Sequence, residues 1–305
     1  MRVSNSMMSH NLILRLGQST ERLFRLQEEM ASGLRITKPS DDPVGAVHAA
    51  ALKSALAAIS QYRRNAEEAD SLLGMTDSAL AEISNLLQSA KTAGLAGVTD
   101  TADQQTRQAL AQEIEQTMQA VLRTANSSRT NRFLFAGYKT ADAPFSLDLA
   151  DDPPATYIGD SGVSLFEVGR SSFVAVNLPG DEVFNMGGAD DPALPDLFSS
   201  LDGLREALLA GDTVELQNRL QEVDAHLTRV LNFRAEVGAR QQGIELALNR
   251  LTDTELSLRT SLSNTEDADL TKVMVELQAQ QNIYQATAGV AATLAQGGLM
   301  EYMTR

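Results

Sequence analysis

Proline placement divides this chain of 305 residues more sharply than any other feature. Two prolines stand close together near the amino end, and the other six lie between Pro144 and Pro195. Residues 44–143 and 196–305 contain none. Because proline breaks the interior of a helix, both stretches can form long uninterrupted helices. The prolines therefore predict two helical regions separated by a middle segment of a different kind.

Heptad spacing in the first proline-free stretch predicts a coiled-coil-like helix. Steps of three and four residues over 52–90 meet an apolar residue every time except at Thr76. A similar row over 220–262 is its natural partner. A helix over 44–94 would be about 75 Å long, whereas a compact globule of this size is roughly 50 Å across. The sequence therefore predicts a mainly α fold, with an elongated coiled-coil helical rod built from both chain ends.

The middle segment, residues 138–198, has a different composition. It contains 11 acidic residues, two basic residues, six prolines and six glycines, and it supplies −9 of the formal net charge of −15. Short runs rich in β-branched and aromatic residues alternate there with turn residues, as in hairpins. We predict a small β-rich module, inserted between the two halves of the rod and facing outward because of its acidity.

Both chain ends show amphipathic helical spacing. If the two end helices paired only with each other, much apolar surface would stay in water, and short isolated helices are only marginally stable. We therefore predict that they fold against neighbouring copies of the chain. The predicted subunit-interface residues are Leu12, Leu16, Leu23, Leu26 and Met30 at the amino end, and Leu270, Val273, Leu277, Tyr284, Ala291 and Leu294 at the carboxyl end.

A proline-rich segment separates the first end helix from the rod. Lys38 precedes a proline and is therefore biased toward an extended conformation. Ser40 or Asp42 can cap the next helix, and Pro43 suits its first turn. The predicted joint consists of Lys38, Pro39, Ser40, Asp41, Asp42 and Pro43. An ordinary interhelical loop would have the same geometry and is the alternative.

These patterns predict three domains. The terminal assembly helices with the joint come first, the helical rod second and the β-rich acidic outer module third. Their predicted boundaries are 1–43 with 264–305, 44–137 with 199–263, and 138–198.

Composition and motifs argue against several function classes. The net charge of −15 disfavours nucleic acid and anionic membrane surfaces as partners. The chain has no cysteine, and His10, His48 and His226 are too far apart in sequence to suggest a metal site. No phosphate-binding loop, dinucleotide fingerprint or nucleophile elbow is present. We therefore predict no catalytic residue, no cofactor, no metal and no membrane insertion.

Four motifs resemble the bacterial flagellin family. They are "SGLRITKPSDDPVGA" at 32–46, "RFLFAGYKTADAPF" at 132–145, "RAEVGARQ" at 234–241 and "SNTEDADLTKVMVELQAQQ" at 263–281. Flagellin itself usually has an Asp-Asp-Ala-Ala-type sequence where this chain has Asp41-Asp42-Pro43-Val44. The pattern is therefore more similar to the branch of the family found at the hook–filament junction.

The resemblance implies a structural, non-enzymatic protein of the bacterial flagellum that joins hook to filament by polymerising through its terminal helices. It implies an extracellular location reached by type III export without a cleaved signal peptide. The implied partners are neighbouring copies of the chain, the other hook–filament junction protein, flagellin and a cytoplasmic export chaperone. Two alternatives are a flagellin filament subunit and, from a different class, a secreted coiled-coil binding protein.

Overall fold

The structure, a computed structural model, describes residues 2–99, 103–151, 153–189 and 191–303. The helices are α1 Arg2–Ser32, α2 Pro43–Val98, α3 Gln104–Ala125, α4 Gly180–Val183, α5 Leu197–Ala210, α6 Thr213–Glu266 and α7 Leu270–Met303. The strands are β1 Ser128–Arg129, β2 Arg132–Phe133, β3 Phe145–Leu147, β4 Ala155–Tyr157, β5 Leu165–Gly169 and β6 Ser172–Ala175. The predicted class, mainly α with a small strand-containing middle, is confirmed.

The chain forms two compact units. One consists of Met1–Ala58 with Asp253–Arg305, and the other of Ile59–Thr252. Helices α2 and α6 contribute residues to both units. The finer division into three domains stays a prediction.

The core of the second unit is built on the two rows of heptad-spaced residues. From α2 it receives Ala66, Ala69, Leu73, Leu80, Ile83, Leu87 and Ala90, and from α6 it receives Val223, Val230, Val237 and Ile244. Each fully buried aliphatic side chain of this kind contributes roughly 1.5–3 kcal/mol. Arg234 interrupts the α6 row, and its Nε donates to Asp77 Oδ1 on α2 at 3.0 Å. The polar residue that interrupts the apolar row therefore forms a hydrogen bond between α6 and α2.

The strands of the second unit form three separate antiparallel pairs, β1–β2, β3–β4 and β5–β6. An aromatic cluster lies beside them, in which the rings of Phe145 and Phe184 are 4.8 Å apart. Helices α2 and α6 are hydrogen-bonded to the β5–β6 pair. Asn65 Nδ2 on α2 donates to the carbonyl of Glu167 at 2.8 Å, and Arg240 Nη1 on α6 donates to the carbonyl of Ala175 at 3.3 Å. The module is thus hydrogen-bonded to α2 and α6.

One histidine is enclosed in the second unit. His226 on α6 is 1% exposed, and its Nε2 lies 3.2 Å from Ser200 Oγ and 3.1 Å from the carbonyl oxygen of Pro195. Burial lowers the pKa of His226 to about 4, and nearby Arg229 acts in the same direction against the bond to Pro195. The imidazole is therefore neutral at physiological pH and serves as a hydrogen-bonding member of the core.

Hydropathy alone singles out one described helix. Within Pro43–Val98, an 18-residue window has a mean hydropathy of 1.2 and is apolar enough to cross a bilayer, with 22% of it buried. Length and composition of this kind are also typical of alanine-rich helices that pack against protein. The feature therefore carries no membrane assignment.

Candidate assembly surface and joint

Helices α1 and α7 pack against each other within the first unit. Leu26 and Val273 are buried in this contact, and Gln280 Nε2 donates to Ser19 Oγ at 2.9 Å. The remaining predicted interface residues on this face are half-buried, namely Leu12, Leu16, Leu23, Leu277, Tyr284 and Ala291. We call the row formed by these six residues together with Ser19, Leu26, Val273 and Gln280 the inner seam.

Two predicted interface residues lie outside the inner seam. Met30 is 36% exposed and Leu270 is 49% exposed. The side chain of Leu294 lies outside the described residues. Most of the predicted set thus faces the other end helix of the same chain, and its role between subunits stays a prediction.

A second apolar row follows α7 on a different face. It is spaced by four, four, three and four residues, and all its members are exposed: Val275, Ala279, Ile283, Ala286 and Val290. We call this row the outer seam. Its three large residues are between 51% and 67% exposed, although an apolar row along one face of a helix is normally buried.

Helix α1 has a similar exposed flank. Ile13 and Phe24 are 67% and 64% exposed, and Gly17 and Thr20 lie between them at heptad spacing. The sequence analysis followed one row on each end helix and missed these two. The signal was present, because a helix with two heptad rows has an apolar surface wider than one partner helix can cover. Two large apolar side chains on this flank of α1 therefore remain in water within the single chain.

The joint pairs with the segment between α6 and α7. Helix α1 ends at Ser32, and the next residue, Gly33, has a φ of 71° in the left-handed region that favours glycine. The carbonyl of Gly33 accepts from Ala268 N at 2.9 Å, and Arg35 N donates to the carbonyl of Glu266 at 2.7 Å. Leu34 and Asp267 thereby form an antiparallel bridge. The two connections at the base of the end helices are thus held together.

Carboxylates organise the predicted joint residues. Asp41 Oδ2 accepts from the backbone N–H of Lys38 at 2.9 Å and from Thr37 Oγ1 at 3.1 Å. The backbone N–H of Lys38 is the main cause that holds the pKa of Asp41 below its ordinary value. Pro39 and Ser40 form the exposed turn that this carboxylate closes.

The next carboxylate starts helix α2, which begins at Pro43. Asp42 Oδ1 accepts from Gly45 N at 2.9 Å, and this bond is the main cause that lowers the pKa of Asp42. A Cβ on Gly45 would lie 2.6 Å from Asp42 Oδ2 and from Ile36 Cδ1. Glycine is therefore needed where the joint folds over the first turn of α2.

An ion pair that the sequence did not predict links α2 to the end of α6, beside the bridge between the two connections. Glu266, whose side chain is 8% exposed, accepts from Lys53 Nζ on α2 at 2.6 Å. Glu266 begins the Glu-Asp-Ala-Asp run of the fourth motif, for which the sequence suggested helix capping and compensation of the helix dipole. Its burial, which requires a cation as partner, is a feature of the fold that this pattern did not indicate.

Comparison with known families identifies this architecture. Residues 3–140 match the bacterial flagellin N-terminal helical region, and residues 220–303 match the bacterial flagellin C-terminal helical region. The chain belongs to the flagellin family. The resemblance drawn from the four motifs is thereby confirmed, and both regions of flagellin-family homology include the end helices described above.

Relatives of this flagellin-family chain extend over nearly its whole length. It is 28% identical to flagellar hook-associated protein 3 of Salmonella typhimurium over 305 residues, covering 94% of this chain and 95% of that protein. It is 27% identical to flagellar hook-associated protein 3 of Escherichia coli, with the same coverage. It is 25% identical to the flagellin of Bacillus subtilis, covering 96% of this chain and 95% of that protein.

Solved structures share the fold of this flagellin-family chain. A putative flagellar hook-associated protein from Vibrio parahaemolyticus superposes with a TM-score of 0.67 at 21% identity, covering 74% of this chain and all of the other. The FlgL structure from Xanthomonas campestris gives 0.61 at 20% identity, covering 70% and 99%. At these identities the comparison establishes the fold.

Proposed function

We propose that this chain is a structural junction protein of the bacterial flagellum, which joins hook to filament by polymerising through its terminal helices. The outer seam of α7 is the observation that carries the proposal. Similarity to flagellar hook-associated protein 3 over 94% of the chain supports the choice of the junction. The proposal includes the absence of enzymatic activity, which is consistent with structural relatives.

The energetics of the outer seam favour a neighbouring copy as its partner. Val275, Ile283 and Val290 leave more than half of their surface in water. Full burial of such side chains is worth roughly 1.5–3 kcal/mol each. An interface that repeats along a polymer gains this free energy in every subunit, whereas a monomer gains none of it.

The inner seam contributes to the same proposal. Its members other than Ser19, Leu26, Val273 and Gln280 are only half-buried in the single chain. We therefore assign the predicted interface residues a double role, in which they hold α1 to α7 and lose their remaining exposed surface when copies assemble.

Location and further partners follow from this function. The proposed location is extracellular, at the hook–filament junction, after type III export from the cytoplasm without a cleaved signal peptide. The proposed partners are the other hook–filament junction protein, flagellin and a cytoplasmic export chaperone. Similarity to both a junction protein and a flagellin is the support for the first two.

A double substitution in the outer seam tests the proposed function. Ile283→Asp with Val290→Asp places two charges on the α7 face while leaving the inner seam unchanged. In a bacterium that lacks the chromosomal copy, we expect export of the variant as monomer, and a hook without a filament in electron micrographs. Normal filaments would refute the proposal.

A matched control uses an exposed leucine on another helix. Leu246 on α6 is 65% exposed and lies in the second unit. Leu246→Asp should support normal filaments, because this leucine belongs to neither seam. The control separates loss of the α7 face from a general effect of added charge.

A filament subunit is the second candidate, because the chain is also similar to Bacillus subtilis flagellin over 301 residues. Seeding purified protein with filament fragments distinguishes the two. A flagellin should extend the seeds into long filaments, whereas a junction protein should stay monomeric. A secreted coiled-coil binding protein would not extend the seeds either, but it would bind its partner independently of the terminal helices.

A further inference from the structure

A half-enclosed pocket of about 340 Å³ opens in the second unit, between α2, the β1–β2 hairpin and the β5–β6 ribbon. Its apolar walls are Leu72, Phe133, Phe166 and Val176, and Arg129 and Arg132 contribute its positive charge. Pockets that hold small ligands measure about 300–1,000 Å³. This one has room for a single large side chain but not for a helix or strand.

The two arginines of the pocket differ in their partners. Arg129 Nη1 forms an ion pair with Glu68 Oε1 at 2.6 Å, and Glu68 also lines the pocket. Arg132 donates weakly to Thr140 Oγ1 at 3.4 Å, and within the described part of the chain it forms no ion pair. In a chain of net charge −15, a guanidinium without a carboxylate is available to an acidic group from outside.

A complementary group lies on the outer face of the β5–β6 ribbon. Phe173 is 58% exposed and Leu165 is 61% exposed, whereas Phe166, Val168 and Val174 face the core. Phe173 is paired directly with Glu167 across the two strands, so an aromatic ring and a carboxylate stand side by side. Among residues that the structure describes, Glu167 forms no ion pair.

We propose that a second copy of this chain inserts Phe173 into the pocket and sets Glu167 against Arg132. The pocket has room for one aromatic side chain, and its positive charge is complementary to the carboxylate beside that side chain. The apolar contact would supply most of the affinity, and the ion pair at the rim would fix the orientation.

The symmetry of this contact suits a polymer. Pocket and ribbon face are different surfaces, so each copy offers one and receives the other. A contact between two different surfaces is heterologous and generates a ring or an open helical array. The inference goes beyond the terminal helices and relies on the proposed function only in that copies of the chain assemble.

Cysteine cross-linking tests the contact, because the chain contains no cysteine of its own. One full-length variant carries Thr130→Cys at the pocket, and the other carries Ser172→Cys beside Phe173. When the two are mixed and oxidised, we expect a disulfide-linked dimer. Adding Phe173→Ala to the second variant should lower the initial rate at least fivefold. A mixture with Leu246→Cys in place of Ser172→Cys is the control and should give background only.

Charge reversal sharpens the test. Arg132→Glu in the Thr130→Cys copy should lower the cross-linking rate about tenfold, and Glu167→Arg in the Ser172→Cys copy should restore most of it. The exchange restores an ion pair only between different copies, so rescue identifies these two residues as partners. Urea denaturation of each variant confirms that it is folded.

The outcomes separate this contact from the proposed function. If cross-links form as expected but hooks carry no filament, the contact stands and the junction role fails. If filaments form and neither the cross-link nor the rescue is observed, the contact is overturned. Protection of the pocket amides by octanoate without any cross-link would overturn it too, in favour of a small carboxylate ligand.

Discussion

The buried row of α2 and the outer seam of α7 are both apolar rows with steps of three or four residues, but their surroundings are opposite. Leu73, Leu80 and Leu87 on α2 are completely buried, whereas Ile283 and Val290 on α7 are more than half exposed. Spacing therefore determines that a face is apolar, and the number of available neighbours determines whether it is covered. In the second unit α2 shares one buried cluster with α3, α5, α6 and the strand-containing module, but in the first unit α7 packs along α1.

The largest expected loss of stability comes from a substitution in the buried row of α2. Leu80→Ala removes a fully buried side chain, and such changes cost about 2–5 kcal/mol because they combine lost transfer free energy with a cavity. Urea denaturation of purified monomer measures it. A loss of unfolding free energy below about 1 kcal/mol would mean that this row of α2 is no better packed than the outer seam of α7. It would contradict the difference drawn between them.

The second prediction concerns how the free energy of unfolding depends on pH through His226, which is buried in the second unit. The pKa of His226 is about 4 in the folded chain and near 6.5 when unfolded. The unfolded state therefore binds the proton more readily, so stability is complete above pH 6.5 and falls as the pH drops toward 4. Over that range we expect a loss of roughly 3 kcal/mol from this residue.

His226→Gln is the control for the pH prediction. Glutamine can donate to the carbonyl of Pro195 but does not titrate. The free energy of unfolding of this variant should decline less steeply between pH 6.5 and 4 than that of the parent chain. Equal slopes would show that other groups cause the dependence.

The third prediction concerns the ion pair between Lys53 and Glu266, which lies beside the bridge in the first unit. Lys53→Met leaves the carboxylate of Glu266 without its cation, and we expect a loss of about 1 kcal/mol because Lys53 is itself half exposed. Amide exchange at residues 33–42 should accelerate. Lys91→Met is the matched control, since its partner Asp224 is 53% exposed, and its cost should be close to zero.

The smallest expected effect is in the outer seam. Ile283→Ala should change the free energy of unfolding of the monomer by less than about 0.5 kcal/mol, because the side chain is mostly in water already. Sedimentation should show a clear loss of assembly for the same variant. A large destabilisation of the monomer would mean that the outer seam is buried within the chain.

Local patterns in the sequence were sufficient for the helices and for the strand-containing middle. Proline placement and heptad spacing depend on neighbouring residues, and they predicted α2 and α6. Short β-branched and aromatic runs predicted the strands within 138–198, whereas β1 and β2 at 128–133 lie outside the predicted module. The similarity of the four motifs predicted the family. These features are encoded within short windows of the chain.

Contacts between distant residues could not be predicted in the same way. Sequence spacing does not say that Glu266 lies next to Lys53, or that Gly33 bonds to Ala268. The end helices illustrate the same limit, because each carries more than one apolar row. Periodicity alone does not show which row faces the other helix, and only the arrangement in space distinguishes the inner seam from the outer.

The bridge between Leu34 and Asp267 has a practical consequence for anyone who modifies the protein. Because its backbone hydrogen bonds join residues 33–35 to residues 266–268, a substitution or proteolytic cut in either connection also removes bonding partners of the other. A change made in one connection is therefore a change in both.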